Sequence, residues 1–278
     1  MQQIHVVLNE ETSACLEGLA LDPHISSAET KPRPAMIVAP GGGYLALAHR
    51  EAEPVAARWL GMGYQAFILR YSVLLGSPEE GAPMPEPNRA ARYPVQVVEA
   101  ARAVAYVREH AEELGVDADR VFVLGFSAGA HVAISLAERW ADYGEQSRPT
   151  GVIGCYPMLR MLEQSDFELQ PLSALAVCGT TEPDEAQIAA VDLVEHANAA
   201  MPPLFLWHTS QDQLTNPVDT ARLAARAMEL GAPCELHIYR EGSHGGGLCD
   251  ETTSAHGEHV NPHNATWAAL ADEWARRL

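Results

Sequence analysis

The stretch Arg120-Val121-Phe122-Val123-Leu124-Gly125-Phe126-Ser127-Ala128-Gly129 decides the fold, because an apolar run leads directly into a glycine-flanked serine. Residues 130–140 follow with a helix-like composition. This order predicts a strand, a sharp turn with Ser127 at its apex, and a helix. Glycines on both sides suit a strained turn in which side chains have little room. We therefore take Ser127 as the leading candidate for a nucleophile; the alternative for this pattern alone is an ordinary glycine-rich turn.

A candidate acid follows a second strand-like run, residues 204–208. A serine hydroxyl needs a general base to act as a nucleophile at neutral pH, and that base needs an acid to fix its tautomer. Asp212 lies just after this run, and the carboxyl ends of parallel strands face the site side of an open sheet. Asp212 is therefore the candidate acid. The alternative is an aspartate that caps the helix predicted to begin near Pro217.

The candidate base is His244, in the loop Gly242-Ser243-His244-Gly245-Gly246-Gly247 that follows the strand-like residues 234–239. Glycines suit a loop that folds inward over the strand ends. Because the chain has 12 histidines, other histidines must also be considered for the role of the base. His131 lies four residues after Ser127 on the same predicted helix, which favours packing or a helix-side hydrogen bond. His208 precedes the acid instead of following it, which leaves His244 as the base.

A glycine-rich loop, Pro40-Gly41-Gly42-Gly43-Tyr44, follows the strand-like residues 36–39. Acyl transfer builds negative charge on a carbonyl oxygen, and backbone N–H groups in such a loop can approach that oxygen closely. We expect one donor from Ala128, the residue after the nucleophile, and the others from this loop. The alternative is a flexible or phosphate-binding turn. However, no Lys-Ser/Thr pair follows, and the G-x-G-x-x-G spacing of dinucleotide-binding proteins is incomplete.

Together these four segments resemble the α/β-hydrolase superfamily, from about Pro34 to the end of the chain. Within it, Pro-Gly-Gly-Gly-Tyr, Gly-Phe-Ser-Ala-Gly-Ala-His, the strand ending Leu-Trp-His-Thr and Gly-Ser-His-Gly are similar to the small carboxylesterases grouped with acetylxylan and feruloyl esterases. Pro40 departs from the hormone-sensitive-lipase-like branch, which has a histidine before the glycines. This departure leaves the backbone donors intact.

The resemblance implies a residue-by-residue assignment of the site. The assigned residues are Ser127 as nucleophile, Asp212 as orienting acid, His244 as base, and Gly42, Gly43 and Ala128 as oxyanion donors.

Strand-like and helix-like runs alternate along the chain. The strand-like runs are 35–39, 66–71, 120–124, 152–155, 204–208 and 234–239, and the helix-like runs are 51–60, 94–114, 130–140, 217–230 and 267–278. The alternation predicts an α/β protein with a mostly parallel central sheet and helices on both faces. The resemblance implies the α/β-hydrolase fold, a three-layer sandwich of this kind. We expect a single domain over residues 1–278. Two irregular stretches, 72–92 and 158–201, are expected to form cap or pocket-lining insertions or, alternatively, ordinary surface connections.

The composition limits the kinds of binding partner and the cellular compartment that we expect. With 18 basic and 37 acidic residues the formal net charge is −19, so nucleic acid and anionic membranes are poor partners. No segment approaches the roughly 18 consecutive apolar residues of a membrane span. The first residues lack the pattern of a secretory signal, although a chain trimmed of its signal would look the same. Five cysteines without zinc-type spacing indicate reduced thiols, and we expect a cytoplasmic protein.

The segment His256-Gly257-Glu258-His259-Val260-Asn261-Pro262-His263 suggests a different class, a metal hydrolase that activates water directly. Its glycine and proline indicate a loop instead of a helix that presents ligands on one face. We therefore expect neither a catalytic metal nor a cofactor.

These features predict a serine carboxylesterase that works through a Ser-Asp-His triad and an acyl-enzyme. The resemblance implies short-chain, acetyl esters on xylo-oligosaccharides or related carbohydrates, so the expected partner is a small-molecule or oligosaccharide ester. A peptidase or amidase and a lipase of the same fold remain alternatives. So does a non-catalytic binding protein, because a fold does not fix a function. A homo-oligomer is compatible with the sequence.

Overall fold

The computed structural model describes residues 2–26, 29–76, 85–160 and 170–278. The strands are β1 (Gln2–Asn9), β2 (Ala14–Ala20), β3 (His24–Ser26), β4 (Glu29–Thr30), β5 (Arg33–Ala39), β6 (Gln65–Arg70), β7 (Val116–Phe126), β8 (Gly151–Cys155), β9 (Leu204–Thr209) and β10 (Cys234–Tyr239). The α-helices are α1 (Glu53–Gly61), α2 (Val95–Glu109), α3 (Ala111–Leu114), α4 (Ala128–Arg139), α5 (Gln170–Cys178), α6 (Glu185–Ala189), α7 (Leu193–His196), α8 (Pro217–Glu229) and α9 (Trp267–Ala275). Short 3-10 turns occur at His49–Glu51, Trp140–Asp142, Glu145–Ser147 and Asn264–Thr266.

The fold is built around one eight-stranded sheet. Its strand order is β1-β2-β6-β5-β7-β8-β9-β10. All neighbours from β6 to β10 are parallel, whereas β1 pairs with β2, and β2 with β6, in antiparallel fashion. The predicted α/β class with a mostly parallel sheet is confirmed. The antiparallel hairpin at its edge is an addition that the sequence interpretation did not include.

Helices cover both faces of the sheet, because its central strands are apolar on both sides. Along β5, Ile37 packs into one core with side chains of α2, α4 and α8. Its neighbours Met36 and Val38 pack into a second core with α1 and α9. All three strand residues are fully buried. Successive side chains of β5 therefore point into two different cores, one on each face of the sheet, and the helices that cover these cores form the two outer layers.

Two helices of the structure have bounds that differ from those predicted from the sequence. The run at 94–114 divides into α2 and α3 at His110, where the backbone leaves helical geometry. The run at 51–60 begins later, at Glu53, because residues 49–51 form a separate 3-10 turn before it. Both predicted insertions fall partly outside the described residues, at 77–84 and 161–169.

The parallel strands bring distant parts of the chain to one edge of the sheet. The glycine loop follows β5, Ser127 follows β7, Asp212 follows β9 and His244 follows β10. Since carboxyl ends of parallel strands meet at the same edge, the four segments converge there. In the described residues, no helix is long and apolar enough to cross a membrane.

Candidate active site

Ser127 occupies a strained turn between β7 and α4. Its backbone has φ +50° and ψ −114°, a region that non-glycine residues rarely adopt. Its N–H donates to the Cys155 carbonyl at 3.0 Å. A Cβ added at Gly125 would lie 2.3 Å from the Gly129 carbonyl oxygen, and one at Gly129 would lie 2.1 Å from that of Ala39. The glycines are therefore required by the close approach of strand, turn and helix.

The three predicted catalytic side chains lie in hydrogen-bond contact. His244 Nε2 is 2.9 Å from Ser127 Oγ, and His244 Nδ1 is 2.7 Å from Asp212 Oδ2. Because a carboxylate only accepts, Nδ1 carries the proton and Nε2 is free to accept from the serine hydroxyl. The Asp212 side chain is fully buried, while that of His244 is 14% exposed. This arrangement can transfer the serine proton to the imidazole.

Asp212 is surrounded by hydrogen-bond donors. Its Oδ1 accepts the N–H groups of Leu214 and Thr215 at 2.9 and 3.0 Å. Its Oδ2 also lies 3.0 Å from His208 Nε2. Burial acts to raise the pKa of this carboxyl, but the hydrogen bonds from His208 and His244 outweigh it and hold the pKa well below its usual range. Asp212 is therefore ionised at neutral pH.

His208 and Thr215 are site residues that the sequence interpretation missed. His208, dismissed as a base, is fully buried beside the acid, and its Nδ1 lies 2.8 Å from Thr220 Oγ1. Burial lowers the pKa of this imidazole, so it donates to Asp212 as a neutral ring. Thr215 Oγ1 is 3.0 Å from Asp212 Oδ2. No spacing rule marks either contact, since both depend on how residues 210–215 fold back over β9.

Three backbone N–H groups are available for an oxyanion. Within the described residues, the backbone N–H groups of Gly42, Gly43 and Ala128 donate to no acceptor of the protein. Gly42 and Gly43 line the same pocket as Ser127. Ala128 is the first residue of α4, and the N-terminus of a helix favours negative charge. These groups can receive the charge that develops on a carbonyl oxygen.

Tyr44, next to the glycine loop, is held by His131. The Tyr44 hydroxyl lies 2.7 Å from His131 Nδ1, and His131 Nε2 lies 3.1 Å from the Val191 carbonyl oxygen. Since the carbonyl only accepts, Nε2 carries the proton and Nδ1 accepts from the tyrosine. Complete burial lowers the pKa of His131 to about 4. His131 is thus a neutral support for the loop, and it does not contact Ser127 Oγ.

This histidine predicts an acid-sensitive stability. The unfolded chain takes up the proton near pH 6.5, but folded His131 does so only near pH 4. Stability is therefore lost as the pH falls through this window, by about 3 kcal/mol. We expect urea unfolding of wild type and His131→Gln to show a free-energy difference that shrinks by this amount between pH 7 and pH 4. Other groups cancel between the two proteins, so a difference that stays constant with pH would contradict the assignment.

A small pocket opens beside Ser127 and His244. Its volume is about 230 Å³, below the roughly 300–1,000 Å³ of pockets that enclose drug-sized ligands. A second, wider groove of about 780 Å³ lies on the Asp212 side of His244. The small pocket is lined in part by Gly42, Gly43, Met158, Arg160, Ser173 and Leu214, and the groove by Ser210, Gln211, Gln213, Leu214, Ser243 and His259.

One group of described residues could hold a metal ion. His5, Cys15 and Glu17 bring potential ligand atoms within 4.8 Å of one another on the β1–β2 hairpin. Glu17 already accepts a hydrogen bond from Arg70 at 3.0 Å, and burial and the Glu17 charge raise the pKa of the Cys15 thiol. Both effects oppose metal binding, so we assign no ion there.

The segment 256–263, which the sequence analysis considered and set aside as a metal site, contacts other side chains. Glu258 Oε2 lies 3.0 Å from Ser254 Oγ, and His259 Nδ1 lies 3.2 Å from Ser243 Oγ.

Comparisons with known proteins agree with the fold. A family model described as alpha/beta hydrolase fold matches residues 89–247. The chain is 28% identical to endo-1,4-beta-xylanase B of Butyrivibrio fibrisolvens, over 77% of this chain and 32% of that protein. It is 27% identical to an acetylxylan esterase of Xylanibacter ruminicola, over 77% of this chain and 41% of that protein. It therefore spans about a third to two fifths of these relatives.

A solved structure covers more of the chain. The acetyl ester-xyloside bifunctional hydrolase from Caldicellulosiruptor lactoaceticus superposes with a TM-score of 0.75 at 27% identity, over 99% of this chain and 96% of that one.

Proposed function

Because the chain belongs to the alpha/beta hydrolase family, we propose that it is a serine carboxylesterase that cleaves short-chain esters. The observation that carries this proposal is the pair of contacts made by His244, 2.9 Å from Ser127 and 2.7 Å from Asp212. Nucleophile, base and acid in this order are what ester hydrolysis through an acyl-enzyme requires. The ionised state of Asp212 supports the proposal, since it can stabilise an imidazolium on His244.

The reaction proceeds in two halves. Ser127 Oγ attacks the ester carbonyl while His244 Nε2 takes its proton. The N–H groups of Gly42, Gly43 and Ala128 bind the oxyanion. His244 then gives the proton to the leaving alcohol, and an acyl-serine remains. Water, activated by His244, attacks the acyl-serine and releases the acid.

We assign the ester, with its acyl group and its leaving oxygen, to the small pocket, because Ser127 and His244 both line this pocket whereas Ser127 does not line the groove. His244 protonates the leaving alcohol from Nε2, the ring nitrogen that faces Ser127, so the alcohol oxygen must lie on that side of the ring. The acetylxylan esterase and the acetyl ester-xyloside hydrolase among the similar proteins support acetylated xylo-oligosaccharides as substrates.

The pocket volume predicts a preference for short acyl groups. We expect kcat/KM for p-nitrophenyl esters to fall about tenfold or more from acetate to octanoate, because a pocket of about 230 Å³ that must also admit the alcohol leaves little room for a long acyl chain. Acetate release from an acetylated xylo-oligosaccharide tests the alcohol part, with Ser127→Ala protein as the background control. A preference for octanoate would indicate a lipase, and equal cleavage of the matching anilide would indicate an amidase. No turnover of any substrate would favour a binding protein.

We further propose that residues 1–278 form one domain in which the segment 158–201 contributes to the pocket wall. Met158 and Ser173 line the pocket, and Ser173 Oγ donates to the Gly43 carbonyl at 2.7 Å.

A further inference from the structure

Glu51 is a buried carboxylate at the edge of the site. It ends the 3-10 turn His49–Glu51 between the glycine loop and α1, and it is 2% exposed. Its Oε2 accepts the Gly41 N–H at 2.8 Å, and its Oε1 accepts the Tyr156 hydroxyl at 2.7 Å. Among the described residues, no cationic side chain lies within 4.0 Å of it to form an ion pair. Burying a carboxylate without such a partner is costly, so its place in the structure calls for a reason.

The hydrogen bonds of Glu51 extend to the loop of the base. The Tyr156 oxygen that donates to Glu51 also accepts the Gly247 N–H at 2.9 Å. The Tyr156 ring packs edge-on against that of His244, with centroids 5.0 Å apart. Glu51 is therefore connected at one oxygen to the glycine loop and, through one tyrosine, to the loop that carries His244.

The neighbouring Arg50 contacts the same loop. A Cβ added at Gly245, the residue after His244, would lie 2.4 Å from an Arg50 guanidinium nitrogen. Another nitrogen of this guanidinium lies 3.3 Å from His259 Nε2, and His259 Nδ1 in turn lies 3.2 Å from Ser243 Oγ. The turn thus packs against Gly245 on one side of the base and reaches Ser243 on the other side only through His259.

Gly41 lies in close contact with both Glu51 and the nucleophile. A Cβ at Gly41 would lie 2.7 Å from Glu51 Oε2 and 3.1 Å from Ser127 Cβ. The carboxylate, the glycine loop and the nucleophile turn are therefore packed together with no room for a larger residue.

We infer that Glu51 is a positioning residue that holds the oxyanion loop and the base loop in register, a role that rests on the proposed esterase function. The oxyanion donors and His244 must meet one carbonyl group, yet they come from loops after three different strands, β5, β7 and β10. Small misplacements of such groups are costly to the rate. A carboxylate suits the role because it only accepts and can serve two donors at once.

The variants Glu51→Ala, Glu51→Gln and Tyr156→Phe test this role. We expect Glu51→Ala to lower kcat for p-nitrophenyl acetate about 100-fold, with KM within about twofold, because the lost order affects the transition state more than substrate binding. Glu51→Gln keeps one acceptor for Gly41 but turns an amide donor towards Tyr156, so we expect a loss of about tenfold. Tyr156→Phe keeps the Gly41 contact and breaks the connection to Gly247, with a similar loss.

A matched control is Glu99→Gln. Glu99 is also fully buried, and it accepts the Ser72 N–H at 2.8 Å away from both loops. It should lose stability without losing kcat. A trifluoromethyl ketone provides a second measurement, since its serine adduct places an oxyanion in the same donors. Its inhibition constant should rise in parallel with the fall in kcat/KM for the Glu51 variants and stay constant for Glu99→Gln.

Wild-type kcat in both Glu51→Gln and Tyr156→Phe would overturn the inference, as would an equal kcat loss in Glu99→Gln. If Glu51→Ala does not fold, the other two variants decide. If Ser127→Ala abolishes turnover while these variants behave as wild type, the positioning role fails and the esterase proposal stands. If wild type shows no serine-dependent turnover, the esterase proposal itself fails.

Discussion

Replacing Ser127 by alanine lowers kcat/KM for p-nitrophenyl acetate by about 10⁴-fold or more. The reason is that Ser127 Oγ, 2.9 Å from His244 Nε2, is the atom that forms the acyl-enzyme in the proposed mechanism. The small remaining rate would come from substrate binding and the oxyanion donors, which the substitution leaves in place. The measurement is initial-rate kinetics over the full substrate range.

The matched control for this change is Ser135→Ala. Ser135 is fully buried on α4, the same helix that Ser127 precedes, and its hydroxyl lies 3.4 Å from that of Tyr93. Its loss should leave kcat/KM within about twofold, because it touches none of the triad. Activity of Ser127→Ala above about one hundredth of wild type would contradict the role of Ser127 as nucleophile.

Replacing Asp212 by asparagine lowers kcat by about 10⁴-fold. The carboxylate accepts from both His244 and His208 at the same oxygen. An asparagine must turn either its oxygen or its amide nitrogen to that position. If the nitrogen faces His244, the ring adopts the other tautomer, Nε2 carries the proton, and it can no longer accept from Ser127. If the oxygen faces it, the negative charge that stabilises the imidazolium is still lost.

Asp272→Asn serves as the control for this substitution. Asp272 also accepts a side-chain hydroxyl, that of Tyr64 at 2.9 Å, but it lies on α9 in the layer with the second core. Near-wild-type kcat for Asp272→Asn beside a large loss for Asp212→Asn would support the assignment. Comparable kcat values for the two variants would refute it.

The main catalytic candidates could be selected from the sequence, because a residue that directly follows a strand of a parallel sheet lies at a known edge of that sheet. Ser127, Asp212 and His244 each follow a strand of one parallel sheet, so their loops emerge at a common edge. Their contacts agree with the predicted order of nucleophile, acid and base. The assignment of chemical roles stays a prediction until the kinetics are measured.

The supporting residues could not be predicted in the same way. Glu51 was predicted to begin the helix-like run 51–60, whereas it ends a separate turn and accepts the Gly41 N–H. Tyr156 has a positive φ of 37°, yet no glycine or asparagine marks that conformation in the sequence. His208 has a buried-strand pattern around it, and only the fold of the next six residues brings Asp212 against its ring. Such contacts depend on tertiary packing and leave no local pattern.

The edge hairpin shows a different limit. Along β1, burial alternates only partly, with Ile4 and Leu8 buried and Val7 half exposed. The alternation is typical of a strand with one covered face, but its antiparallel pairing with β2 depends on the turn between them. The βα alternation of the rest of the chain carries no information about that pairing.

The central claim is that Ser127 is the catalytic nucleophile. The most direct measurement is to treat the wild-type protein with a fluorophosphonate probe and locate the adduct by peptide mass spectrometry. Our account predicts one adduct, on Ser127, that forms as esterase activity is lost and is absent from Ser127→Ala. An adduct on another residue, or full esterase activity without any adduct, would contradict it.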